Sequence, residues 1–108
     1  MPNKLTVESN TKTYVFDIDG TICRTKNGDY RNAKPLKNRI RRINVLWSAG
    51  NKIIYYTSRG ALTKKKWRKL TEKQFKKWGV KYSKLYMNKP YGDWYIDDHN
   101  ITIKDFFK

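Results

Sequence analysis

Cysteine and histidine occur once each in this chain of 108 residues, and Asp and Glu together number only nine. Each scarcity removes a class of chemistry. Cys23 alone rules out an intrachain disulfide and suits a reducing compartment. A Cys/His nucleophilic pair would have to join Cys23 to His99 with no third member to orient them, and a zinc site would lack its usual Cys and His ligands. No apolar run approaches the length of a membrane span, and Met1–Thr6 lacks the apolar core of a signal peptide. A soluble, cytoplasmic protein with no membrane partner is the expectation. No internal repeat or low-complexity linker interrupts the chain, so residues 1–108 read as one domain.

What is abundant is positive charge. Lys and Arg number 25, giving a formal net charge of +16. Such a molecule attracts phosphates and polyanions from a distance, which puts nucleic acid among the candidate partners. A solvated, Lys-rich surface accounts for the same charge equally well. The hydrophobic fraction is low at 38%, but four Trp and eight Tyr supply large buried areas per residue, so the composition is that of a folded chain.

The stretch Tyr14-Val15-Phe16-Asp17-Ile18-Asp19-Gly20-Thr21 organises the rest. A β-branched and aromatic run, the mark of a buried strand, ends in two carboxylates spaced i, i+2 and a glycine turn. In an open parallel sheet the carboxyl ends of the strands are where ligands bind. Gly20 permits the sharp turn and Thr21 has a hydroxyl to hold it. Taken alone, Asp-Gly is also an ordinary polar turn.

Around this stretch the chain alternates between strand and helix patterns. Leu5–Glu8 reads as a short edge strand, and Thr11 to Asp17 as the first core strand. Residues 22–31, with Asn27-Gly28 at the tip, read as a small hairpin flap over the acidic turn. Pro35 opens a helix with Leu36, Ile40, Ile43, Leu46 and Trp47 on its apolar face, with Lys37, Arg39, Arg41 and Arg42 facing water, and Gly50 closes it. Ile53–Tyr56 is a buried parallel strand that ends in Thr57-Ser58-Arg59-Gly60. From about Leu62 to Trp78 a second helix pairs an aromatic stripe with a strongly basic face and stops at Gly79. Lys84–Met87 is a third strand, followed by Asn88-Lys89-Pro90; Trp94–Ile96 then runs into Asp97-Asp98. The pattern predicts an α/β fold, a three-layer, Rossmann-like, mostly parallel sheet with helices on both faces and no cap domain.

Right-handed crossovers bring the carboxyl ends of parallel strands to one edge, so Asp17, Asp19, Thr57, Lys89, Asp97 and Asp98 are expected to converge. Two acidic clusters meeting there need a cation, and oxygen-only ligands indicate Mg²⁺. A divalent cation, a lysine and a hydroxyl together serve phosphoryl transfer, in which a carboxylate can itself be the nucleophile.

Phe16-Asp17-Ile18-Asp19-Gly20-Thr21, Tyr56-Thr57-Ser58-Arg59-Gly60, Asn88-Lys89-Pro90 and Ile96-Asp97-Asp98 resemble, in order and strand context, the four motifs of the haloacid dehalogenase superfamily of aspartyl phosphatases. The resemblance spans about Tyr14 to Asp98. It is closer still to small capless members associated with capsular polysaccharide biosynthesis or phage genomes. It implies Asp17 as nucleophile and metal ligand, and Asp19 as the general acid whose backbone carbonyl also reaches the metal. Thr57 would hold the transferring phosphoryl group and Lys89 would orient the nucleophile. Asp97 would bind Mg²⁺, with Asp98 supporting it. Gly20, Thr21, Ser58 and Arg59 are the candidate substrate-binding residues beside them. Only residues 88–93 separate the last two strands, too few for a helical crossover, so the order of those strands stays open.

The expected function is Mg²⁺-dependent phosphomonoester hydrolysis through an aspartyl-phosphate intermediate, on a small phosphorylated metabolite such as a sugar phosphate or nucleotide. A polynucleotide 3′-phosphatase is a second reading, because the basic helix can track a backbone. A non-catalytic nucleic-acid or anion-binding module is a third. With a small core and exposed aromatics, a homo-oligomer is expected.

Overall fold

A computed structural model describes residues 11–108; the expected edge strand at Leu5–Glu8 lies outside the described residues. In chain order the elements are β1 (Thr13–Phe16), β2 (Cys23–Arg24), β3 (Lys34–Pro35), α1 (Lys37–Ser48), β4 (Lys52–Tyr56), α2 (Arg68–Trp78), β5 (Lys84–Tyr86) and α3 (Ile103–Phe106). The core sheet is parallel, with strand order β1-β4-β5. Its register sets Phe16 beside Tyr55 and Tyr55 beside Leu85. Strands β2 and β3 form a separate antiparallel pair.

Both crossovers step in the same direction across this sheet, so right-handed connections place α1 and α2 on one face. Tyr14, Phe16, Ile53, Tyr55 and Leu85 alternate onto that face and meet Ile40 and Ile43 of α1 and Phe75 of α2. The Tyr55 and Phe75 rings pack edge to face with centroids 5.0 Å apart, and Phe106 of α3 meets Phe16 in the same way at 5.3 Å. The opposite face leaves Val15 60% and Tyr86 46% exposed. No described helix covers it. The expectation of helices on both faces is therefore corrected: the described residues build two layers, a parallel sheet and one layer of helices.

Three element boundaries also differ from the sequence pattern. Pro35 does not open α1 but sits in β3 opposite Cys23, while the next residue, Leu36, donates its N–H to the Ile22 carbonyl at 2.8 Å. A proline, having no N–H to give, suits that short edge pair. The hairpin flap closes wider than residues 22–31, on the antiparallel pair β2–β3. Asn27 and Gly28 do take left-handed turns, with φ 51° and 74°, but Arg24 pairs with Lys34, and Tyr30–Asn32 forms a 3-10 turn. The Tyr30 ring lies under the Arg59 guanidinium at 4.8 Å and edge-on to Trp67 at 5.1 Å, which draws the segment onto the core.

The second helix begins at Arg68 rather than near Leu62. Ahead of it the chain closes a tight loop, in which the Lys64 N–H donates to the Gly60 carbonyl at 2.8 Å and Lys64 has φ 64°. The helix ends are as expected. Gly79 takes a left-handed φ of 72° after α2, and Gly50 a φ of 97° just beyond α1.

Trp94–Ile96 forms no strand, and Trp94 and Ile96 stand 85% and 96% exposed. Lys89 Nζ lies 4.3 Å from the Tyr95 ring centre, and the Tyr95 hydroxyl donates to the Pro90 carbonyl. The segment folds back on itself instead of pairing with the sheet. No described helix is long and apolar enough to cross a membrane.

Candidate active site

Strand β1 delivers the acidic turn to the carboxyl edge of the sheet, and a dense set of backbone bonds shapes it. Thr21 and Ile22 N–H groups both donate to the Ile18 carbonyl, at 3.0 and 2.9 Å, while Gly20 N–H donates to the Cys23 carbonyl at 2.8 Å. Gly20 has φ 86°, which a side chain rarely tolerates. Ile18, between the two carboxylates, is fully buried and pins the turn to the core. Arg39 of α1 closes it from outside by donating to the carbonyls of Gly20 and Thr21 at 3.3 and 3.1 Å. Facing water was the expectation for Arg39; its helical position gives no sign of this cross-chain contact.

The two carboxylates have separate environments. Asp17 lies just past the end of β1, with Lys89 Nζ 4.0 Å from its Oδ1. Burial holds its pKa above the ordinary carboxylate value, only partly opposed by Lys89 and by the Ile18 N–H. Asp17, Lys89 and Thr21 line one cavity of about 420 Å³, whose far wall comes from the segment around Tyr95, Asn100 and Ile103. Thr21 is 3% exposed and its hydroxyl has no hydrogen-bond partner. A buried hydroxyl without a partner is uncommon and points to a group that would satisfy it.

Asp19 is fully engaged. Arg59 donates Nε to Oδ2 and Nη2 to Oδ1, both at 2.9 Å, and the Thr25 hydroxyl donates to Oδ1 as well. Although burial opposes ionisation, hydrogen bonds and charge from Arg59 win and hold the Asp19 carboxyl below its ordinary value. The guanidinium is itself anchored, with Nη1 donating to Thr71 Oγ1 at 3.0 Å and to Gln74 Oε1 at 2.7 Å. Arg59, a candidate substrate-binding residue by its motif, is a buried partner of Asp19. Beneath it, burial and the Asp19 charge push the Cys23 thiol up to about 11, which makes it a packing residue rather than a nucleophile.

Strand β4 hands over to the second motif through Thr57, whose N–H donates to the Tyr86 carbonyl at 3.0 Å and whose Oγ1 accepts from the Arg59 N–H at 3.1 Å. Thr57 also accepts the Lys89 N–H on its carbonyl at 2.9 Å, which ties the lysine loop to the strand end and sets Lys89 toward Asp17. Ser58 is half-buried, and its carbonyl accepts the Ala61 N–H at 2.9 Å in the following turn. Asp17, Asp19, Gly20, Thr21, Thr57, Ser58, Arg59 and Lys89 therefore share one region of the fold.

Asp97 and Asp98 do not join them. Both stand in the exposed segment after Ile96, where Asp97 Oδ1 accepts the His99 N–H at 3.0 Å. Without a strand at Trp94–Ile96 nothing carries them to the sheet edge. Among the described residues no group of three or more His, Cys, Asp and Glu side chains is placed to hold a metal ion. The four-residue ligand set is corrected accordingly. Mg²⁺ is often held by one or two carboxylates, with water and substrate phosphate completing its shell. Asp17 fits that smaller role: it is part-exposed and desolvated, with its nearest cation at 4.0 Å rather than in hydrogen-bond contact.

The residues missed from the sequence are the supports: Thr25, Tyr30, Arg39, Thr71 and Gln74. Thr71 and Gln74 recur at i, i+3 on the inner side of α2, a polar pair where an apolar stripe was expected, and that break in the pattern is the only signal they leave.

No protein-family model matches the chain, and no curated protein does. Among solved structures it resembles the crystal structure of an MCSG target from Vibrio cholerae. The two align with a TM-score of 0.80 and 24% identity, over 89% of this chain and 87% of the other. That likeness extends the α/β fold to a second protein.

Proposed function

We propose that this protein hydrolyses phosphate monoesters through a phosphoryl intermediate on Asp17, with Mg²⁺ as cofactor and a small phosphorylated metabolite as substrate. The observation that carries the reading is the Asp17 cavity. A desolvated carboxylate and a lysine 4.0 Å away line it, together with the buried, unpartnered Thr21 hydroxyl. A carboxylate short of compensating charge gains from a substrate that brings a cation with it, and a lysine and a hydroxyl are the donors a phosphoryl group needs.

In the first step an Asp17 carboxylate oxygen attacks phosphorus and the ester P–O bond breaks, so the leaving alkoxide departs with its electron pair and takes up a proton from solvent water. In the second, water attacks phosphorus, the P–O bond to Asp17 breaks, and inorganic phosphate and the free carboxylate result. Lys89 holds the attacking carboxylate and offsets charge on the phosphoryl oxygens. Thr21 lines the cavity in which those oxygens would rest, while Thr57 is buried at the end of β4 outside that lining. Mg²⁺ held by Asp17 would supply Lewis-acid neutralisation of the phosphate. Asp19, paired as it is, cannot give a proton; the acid role requires that it turn away from Arg59 when substrate enters.

The test is phosphate release with Mg²⁺ from sugar phosphates, nucleotides and 3′-phosphorylated oligonucleotides, beside Asp17→Asn and an EDTA control. Release from a small ester that disappears in both controls supports the reading. Release that survives Asp17→Asn, or none from any substrate by folded protein, sinks it.

A further inference from the structure

A second and larger cavity, of about 850 Å³, lies on the other side of the Asn88–Pro90 loop. Lys64, Lys65, Lys66 and Arg68 border it with Tyr86 and Tyr91, and no carboxylate contributes to its wall. Arg68 donates to Glu72 and to the Leu85 carbonyl, whereas the three lysines form no side-chain ion pair or hydrogen bond among the described residues. Like charges set side by side with nothing to balance them repel, unless an anionic partner is what balances them.

The lysines stand on a shaped loop. A Cβ on Gly60 would meet the Lys65 carbonyl oxygen at 2.3 Å, so the chain returns onto Gly60 as closely as only glycine permits. Lys64 and Asn88, which both line the cavity, hold positive φ, at 64° and 66°. Strained backbone of this kind persists where the surroundings impose it, and it collects at binding sites. The aromatic contribution is just as exposed: Tyr91 is 63% accessible.

We infer that this cavity binds single-stranded polynucleotide, with backbone phosphates on Lys64–Lys66 and unpaired bases on the rings of Tyr86 and Tyr91. A track of cations beside open aromatic faces is the combination that single strands use, because every base offers a π face while a duplex hides it. A small phosphate ester would engage one or two cations and leave the rings idle. The inference does not depend on turnover at Asp17.

Fluorescence anisotropy with a labelled oligothymidylate of about 12 nucleotides tests it. Two double variants remove equal charge, Lys65→Ala/Lys66→Ala at the cavity and Lys73→Ala/Lys77→Ala on α2. The cavity pair should lose about tenfold or more in affinity and lower the slope of log K against log salt by about 1.4, while the helix pair changes little. Tyr91→Ala should weaken binding roughly 5- to 150-fold without moving the slope. Circular dichroism confirms that each variant folds. Equal losses from the two lysine pairs, an unaffected Tyr91→Ala, equal affinity for a duplex of the same length, or no binding at low salt would each overturn the assignment.

Discussion

Replacing Asp17 with asparagine removes a carboxylate that burial holds above its ordinary pKa, so ionised Asp17 costs folding free energy that the amide would not. The two readouts should therefore diverge. Phosphate release by Asp17→Asn is expected to fall at least about a thousandfold, while the melting temperature stays level or rises. A large loss of stability would mean that Asp17 is structural. Asp19 is the opposite case. Arg59 is buried and bonded at Nε, Nη1 and Nη2, and an Arg59→Met variant leaves Asp19 without its partner, at a cost of about 3 kcal/mol. Because the folded pKa of Asp19 lies below its unfolded one, its contribution is complete above the ordinary carboxylate value and disappears as pH falls through the folded value. As pH falls through and below the ordinary carboxylate range, wild type should lose melting temperature more steeply than Asp19→Asn does. Parallel pH profiles would remove the pair from the stability account. That the two aspartates matter is legible in the sequence, since a buried strand does not end in carboxylates idly. Their division of labour is not, because Arg59 is 40 positions from Asp19 and only the fold decides that its guanidinium turns inward.

At the scale of elements, periodicity and glycine punctuation mark most of what forms. The continuous run Ile53–Tyr56, the apolar positions Ile40, Ile43 and Phe75, and the stops at Gly50 and Gly79 all reappear as β4, α1, α2 and their ends. Where the pattern misleads, a tertiary contact overrides it. Tyr30 packs on Trp67 rather than pairing across a hairpin, and Lys64 to Trp67 fit a helical stripe but are held in the Gly60 loop. Trp94–Ile96 has strand composition, yet a strand needs a neighbour, and Tyr95 is engaged with Pro90 and Lys89. The Gly60 loop gives the prediction proper to this scale. Gly60→Ala adds a methyl facing a backbone oxygen at 2.3 Å, in a conformation with φ 83° that alanine disfavours. The backbone must move, so a loss of about 2 kcal/mol or more is expected in urea unfolding, with the same change at Gly28, where nothing lies within 4 Å, costing less. Equal losses at the two glycines would show that the loop yields freely and that its shape is not imposed.

For the molecule as a whole two opposing effects decide association. The uncovered sheet face carries Val15, Ile54, Tyr56 and Tyr86, an apolar row that a second copy could bury. Lys52 and Lys84 lie on the same face by register, and each copy brings a net charge of +16. Exposed sheet surfaces guarded by lysines resist pairing through charge, and that resistance reaches about 30 Å at 0.01 M salt but only about 10 Å at 0.1 M. Apolar burial depends far less on salt, so the balance shifts toward association as salt rises. Light scattering should give the monomer mass at low ionic strength and a growing dimer share at higher salt, and Tyr86→Lys should hold the monomer throughout. A mass that ignores salt, or a Tyr86→Lys variant that associates like wild type, would show that this face is not where copies of the chain meet.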